Sequence, residues 1–180
     1  MRIVLAVVLV ASTTVAEEKP VTRVEVEVFT VGLPVAGSGE RLRYVHARGE
    51  LTGGQNPDGL AKSLAADSAP ELAVIHSTSW RWEEDGRIVL TYLAWAKDGA
   101  LSPRAAAIPA LKPPGPTDPL KPRPKEIHEL DPLAHGLRHV AFLARQTDGG
   151  VAAALGPRST RVLLRFEPEV AGRLPEPSRR

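Results

Sequence analysis

Hydrophobic and polar residues alternate most regularly between residues 21 and 31. Valines at even positions there follow one another with charged residues between them, as in Val24-Glu25-Val26-Glu27-Val28. A period of two predicts a half-buried strand whose valines face a core and whose charged side chains face water. A shorter strand is predicted at 41–48, after a flexible Gly-Ser-Gly turn.

Two runs rich in β-branched and aromatic residues, 71–83 and 87–96, predict a β-hairpin. They meet at Asp85-Gly86, a dipeptide that suits a two-residue type I′ turn. In that register Trp82 lies opposite Val89, and all three tryptophans fall on one face of the hairpin.

Helical spacing of apolar residues appears in three places. Asn56 and Pro57 supply a cap and a first turn for a helix over 57–67, and Asp131-Pro132 begins a longer helix that extends to about residue 145. A short helix is predicted at 151–155, and Gly156-Pro157 is expected to break the chain after it. Residues 159–167 fit either a helix or a buried strand, and Ser159 as a cap favours the helix.

The segment 102–125 is different in composition, with eight prolines in 24 residues and almost no periodicity. Such a density favours polyproline II and excludes a helix or a central strand. We expect a connecting segment that wraps the surface. The alternative is a proline-rich ligand for a protein partner.

These elements predict a single α+β domain over residues 17–180. We expect an antiparallel sheet of about four or five strands, helices packed on one side of it, and a mainly helical C-terminal third.

The first sixteen residues have the order of a secretory signal. Arg2 precedes an apolar run at 3–11, and small residues then lead to Ala16 and an acidic start at Glu17. The order favours export with cleavage after Ala16 over a cytoplasmic protein. The alternative is a buried N-terminal strand, and the run is too short to span a membrane, which takes about 20 residues.

Composition narrows the function classes. A formal net charge of +2 is too small for a surface built to bind nucleic acid, although the pI is 9.1. The absence of cysteine excludes disulfides, thiolate metal sites and a cysteine nucleophile. No Gly-x-Ser-x-Gly elbow is present, so a nucleophilic serine hydrolase is not indicated.

Histidines four residues apart, His135 and His139, share one face of the predicted helix and are spaced to reach one metal ion. His128 is the candidate third ligand. Such a site would bind a divalent metal and support metal-assisted hydrolysis. However, Gly136 occupies the position where a zinc protease carries its glutamate.

The predicted hairpin face is the second candidate site. Aromatic rings interleaved with hydroxyls and an imidazole suit a pocket for a small organic ligand, and the alternative is that the face is core. The opposite face, with Arg81, is a candidate site for an anionic group. The residues of the candidate ligand-binding face are His76, Thr78, Trp80, Trp82, Thr91 and Trp95.

We therefore expect a small soluble binding or accessory domain rather than an enzyme, since contact surface is visible but no assembled catalytic group is. Its partner is a small organic ligand or a protein. Two other hypotheses stay open: a metal-dependent hydrolase that uses the helix histidines, and an interaction protein that engages a partner through the proline-rich segment.

Overall fold

The computed structural model describes residues 22–111, 127–146 and 149–170. It contains five strands and three helices, in the order β1-β2-α1-β3-β4-β5-α2-α3. The strands are β1 (Val24–Gly32), β2 (Arg43–Glu50), β3 (Leu72–Trp82), β4 (Ile88–Ala96) and β5 (Ala106–Ala107), and the helices are α1 (Pro57–Ala66), α2 (Asp131–Leu143) and α3 (Gly150–Leu163).

The strands form one sheet in the order β3-β4-β1-β2-β5. The pairs β1–β2, β3–β4 and β2–β5 are antiparallel, whereas β1 and β4 run parallel, so the sheet is mixed. The α+β class, the five strands and the helical C-terminal third are confirmed. The sheet differs from the predicted antiparallel one only in the parallel pair β1–β4. This pair arises because the β1–β2 and β3–β4 hairpins lie side by side, with β1 next to β4, and α1 lies in the connection between the two hairpins.

Helices cover both faces of the sheet, which corrects the expectation of helices on one side. Val26 and Val28 pack with α1 in one apolar cluster, on what we call the α1 face. Phe29 and Val31 pack with α2 and α3 in a second cluster, on the α2 face. The physical reason is that β1 is a central strand, and its second half carries large apolar side chains on both faces.

The start signal of α1 is confirmed. The Asn56 side chain accepts a hydrogen bond from the Asp58 amide at 2.8 Å, and Pro57 occupies the first turn of α1.

Helix α2 begins at Asp131 as predicted, but its cap position is Leu130 and no side chain of the described residues caps it. In α3, Gly156 adopts φ +74° and breaks the helix before Pro157, as the sequence predicts.

Residues 159–163 are helical, which resolves the ambiguity left by the sequence. Ser159 lies inside α3 and does not cap it. Its buried hydroxyl accepts a hydrogen bond from Trp95 Nε1 at 3.1 Å and donates one to Asp98 at 2.9 Å.

The beginning of the proline-rich segment lies along β2. Ala106 pairs with Tyr44, and the Ile108 amide donates to the Leu42 carbonyl at 2.9 Å. The rest of that segment, 112–125, and the candidate signal sequence at 1–16 lie outside the described residues. Among the helices that the structure describes, none is long and apolar enough to cross a membrane.

Candidate functional site

The β3–β4 hairpin is present, but its register is shifted by one residue from the expected one. The Glu83 amide donates to the Arg87 carbonyl at 2.8 Å, and the Gly86 amide donates to the Glu83 carbonyl at 3.0 Å. The loop therefore has three residues, 84–86, and Gly86 provides the positive φ of +85° that such a loop requires. Because the side-chain period is two, a one-residue shift moves side chains to the other face of the sheet.

The shift places Trp82 opposite Ile88 and Trp80 opposite Leu90. A second irregularity follows at Thr78, which is inserted between the pairs Ser77–Tyr92 and Ser79–Thr91 as a β-bulge.

The six residues of the predicted ligand-binding face are consequently divided between two faces. Leu90 and Ile88 alternate with Thr91 and Trp95 along β4, so Trp80 and Trp82 lie on the α1 face and Trp95 on the α2 face. His76, Thr78 and Thr91 also lie on the α2 face. Trp95 is only 1% exposed, and Thr78 and Thr91 are buried, so these three belong to the core alternative.

Trp80 and Trp82, by contrast, are 69% and 46% exposed. We call this pair of side chains on β3 the aromatic edge, because β3 is the last strand of the sheet on that side. Helix α1 packs over β1 and β2, and it leaves Ile88 and Leu90 beside the tryptophans only partly covered. The aromatic edge is thus the exposed part of an apolar sheet face.

A buried carboxylate, that of Glu27, lies on the opposite face, on β1 and thus two strands away from the aromatic edge. Glu27 is fully buried, although the alternating pattern of β1 predicted a side chain in water. Its carboxylate oxygens accept hydrogen bonds from Thr91 Oγ1 at 2.8 Å and from both terminal nitrogens of Arg81. Arg48 Nη2 lies at 2.9 Å and His46 Nε2 at 3.3 Å. We call these five residues the buried glutamate cluster.

Burial alone would raise the pKa of Glu27, but hydrogen bonds from His46, Arg81 and Thr91 outweigh it and lower the pKa to about 2. The carboxylate is therefore ionised at neutral pH with its oxygens occupied, which suits a structural anchor and not a general acid or base.

The sequence suggested that Arg81 could bind an anionic group from outside the protein. In the structure its guanidinium instead binds the carboxylate of Glu27. It also donates to Glu83 at 2.6 Å. Because Arg81 lies between Trp80 and Trp82 in the strand, its anchoring on the α2 face fixes both tryptophans on the α1 face.

The structure brings two of the candidate histidines together from different elements. His76 on β3 and His139 on α2 face each other, with their Nε2 atoms 3.2 Å apart. The sequence assigned these residues to two separate sites. They are 63 positions apart, and no local pattern indicates the contact.

The second nitrogen of His139 fixes the protonation of this histidine pair. His139 Nδ1 lies 3.3 Å from the Glu169 carbonyl oxygen, which can only accept, so the Nδ1 atom carries the proton and Nε2 accepts from His76. Burial lowers the pKa of His76, and burial is also the main cause that lowers the pKa of His139. Both rings are therefore neutral at pH 7.

The predicted metal ligands His128, His135 and His139 do not form a three-ligand group. His135 Nδ1 lies 3.5 Å from a Glu169 carboxylate oxygen, and His128 is exposed before the helix. In the part of the chain that the structure describes, no three histidine or acidic side chains are grouped to hold a metal ion. Gly136, at the position where a zinc protease carries its glutamate, lies where α2 meets β3. A Cβ added at this glycine would lie 3.5 Å from Thr78 Oγ1.

Two shallow clefts lie away from the hairpin tip. One of about 430 Å³ lies between the 108–111 segment and the end of α3, and one of about 400 Å³ lies on α3. Neither is lined by Trp80, Trp82 or the histidine pair. A comparison with protein-family models and with curated proteins finds no match to this chain.

Proposed function

We propose that this chain is a non-enzymatic binding domain that recognises an extended segment of a protein partner along β3. The observation that carries the proposal is the exposure of Trp80 and Trp82 on an edge strand. Tryptophan is enriched among the residues that dominate binding energy at protein interfaces. An edge strand also offers backbone donors and acceptors to which a further strand can pair.

A protein partner fits this surface better than a small organic ligand does. Small ligands bind in concave sites that bury most of their surface. Neither of the two clefts described above includes the aromatic edge. A partner that lies along the strand, in contrast, covers both rings without needing a cavity.

The aromatic edge is tied to the centre of the sheet, which favours binding. The Arg81 side chain reaches Glu27 of β1 on the α2 face, so the strand segment that carries both tryptophans is held in place before a partner arrives. A preorganised surface loses less conformational entropy on association, and more of the contact energy is retained as affinity.

The test is capture of a partner from the cells that produce the protein, with matched variants as baits. The double variant Trp80→Ser/Trp82→Ser removes the aromatic edge. The control Val35→Ser removes a side chain that is 63% exposed, in the loop that follows β1 at the other end of the sheet. Circular dichroism of all three baits checks that they are folded.

We expect a partner that binds the wild-type chain and the Val35 variant but is lost from the double variant. With the purified partner, each tryptophan substitution should weaken binding about 30-fold, the equivalent of about 2 kcal/mol. The proposal is wrong if every captured protein binds the double variant as well as it binds wild type.

A further inference from the structure

The histidine pair brings two imidazole nitrogens from different elements to a separation that a shared metal ion also requires. His76 and His139 come from a strand and a helix, their ring centroids are 5.2 Å apart, and their Nε2 atoms are separated by 3.2 Å. Two imidazoles on one tetrahedral Zn²⁺, with Zn–N bonds of about 2.0–2.1 Å, place their nitrogens about 3.3 Å apart. The observed separation therefore fits chelation of a single ion as well as it fits the hydrogen bond of the metal-free pair.

The surroundings of His139 add a second, independent feature. Its Nδ1–H is directed at the Glu169 backbone carbonyl at 3.3 Å. Histidines that bind metal ions almost always donate their other ring N–H to a carbonyl or carboxylate, which fixes the ring and directs the Nε2 lone pair at the ion. The Glu169 carbonyl does this for His139.

We infer that His76 and His139 form a two-histidine site for a divalent transition-metal ion that favours imidazole, such as Zn²⁺, Cu²⁺ or Ni²⁺. Both Nε2 atoms are the ligands, and water completes the coordination. The site joins β3 to α2, and it is separate from the aromatic edge and from the protein-binding function proposed above.

Binding requires a proton to move within His76. In the metal-free pair His76 donates its Nε2–H to His139, so the proton must transfer to Nδ1 to free the Nε2 lone pair for the ion. His76 Nδ1 has no hydrogen-bond partner among the described residues and can accept that proton. The transfer is a change of tautomer, so the protein releases no net proton.

His135 is not a member of this site, although the sequence paired it with His139. Its ring lies parallel to that of His139, with centroids 6.4 Å apart, and its Nδ1 faces the Glu169 carboxylate. His135 therefore serves as the matched control, because it lies on the same helix and one turn from the proposed ligand.

The test is titration of the untagged protein with Zn²⁺ by calorimetry, and with Cu²⁺ by electron paramagnetic resonance. We expect one ion per chain, and a Cu²⁺ spectrum split by two imidazole nitrogens. Affinity should fall more than tenfold in His76→Gln and in His139→Gln, and by less than twofold in His135→Gln. The half-buried His76 is the decisive position if replacement of His139 unfolds the chain.

Two results overturn the inference. One is the absence of binding of all three ions by folded wild-type protein. The other is a loss of affinity in His135→Gln as large as in His76→Gln, which would place the ion on the two helix histidines instead.

Discussion

Replacement of Glu27 by glutamine should destabilise the protein strongly at neutral pH and much less in acid. Glu27 is fully buried, and its pKa falls from 4.5 to about 2 in the folded chain. At about 1.4 kcal/mol per pKa unit, the folded state favours the ionised carboxylate by about 3 kcal/mol. Glutamine preserves the shape but removes the buried charge that Arg81 and Arg48 share, and leaves Arg81 with Glu83 as its carboxylate partner. Removal of one member of a buried pair costs about 3–5 kcal/mol in other proteins.

The pH dependence has a definite sign. Because folding lowers the pKa, the unfolded chain takes up the proton first as pH falls, so the stabilisation is complete above about pH 4.5 and is lost towards pH 2. Between pH 7 and pH 3 the wild-type protein should lose about 2 kcal/mol from this residue. Glu27→Gln cannot titrate at this position, so its deficit relative to wild type should shrink by about 2 kcal/mol, to about 1–3 kcal/mol at pH 3.

The assay is urea unfolding at pH 7 and pH 3, followed by circular dichroism, with the slope compared between variants. Glu71→Gln is the control, since Glu71 is exposed and pairs with Lys97 at 3.0 Å on the surface. Its effect should stay below about 1 kcal/mol. A Glu27→Gln deficit below about 1 kcal/mol at pH 7, or one that is equal at both pH values, would refute the assignment of Glu27 as a charged anchor.

Four further predictions follow from individual positions. Leu137→Ala removes a fully buried side chain where α2 meets the sheet, so chemical denaturation should show a loss of about 2–5 kcal/mol. Gly86→Ala forces a side chain into φ +85°, so its melting temperature should drop, whereas Gly53→Ala in an open loop should melt within about 1 °C of wild type. The hydroxyl of Tyr92 should ionise near pH 12 in an ultraviolet titration, because burial and an Asp58 carboxylate raise its pKa to about 12, and ionisation near pH 10 would contradict this. We also propose export, which predicts that protein recovered from its own cells begins at Glu17, and an intact N-terminus there would argue against it.

The sequence predicts those parts of the fold whose signals are local. The start of α1 follows from Asn56 and Pro57, and the break in α3 follows from Gly156-Pro157. Each of these features depends on two or three adjacent residues, whose backbone preferences are the same in a peptide and in the folded chain.

The hairpin shows where a local signal is insufficient. Asp85-Gly86 indicates a turn correctly, but two-residue and three-residue loops both use glycine at this position, and they differ by one residue in register. The bulge at Thr78 has no sequence signature. These two irregularities divide the predicted aromatic face, so the sequence identified Trp80 and Trp82 as candidates but could not separate them from Trp95.

The buried glutamate cluster and the histidine pair depend on contacts between distant residues. Burial of Glu27 in β1 is possible only because β2 and β3 bring Arg48 and Arg81 to it, and an isolated alternating strand carries no sign of those partners. An excess of arginine in the strands next to an acidic strand is the one signal that could have indicated the cluster. Nothing local indicates that His76 meets His139.

The most direct measurement is photo-cross-linking in the cells that make the protein, with a photoreactive phenylalanine analogue placed at Trp80 in one variant and at Val35 in another. If the aromatic edge binds a partner, irradiation should give one adduct of defined mass from position 80 and none from position 35. Adducts formed equally from both positions, or none from position 80, would show that this surface is not a binding site.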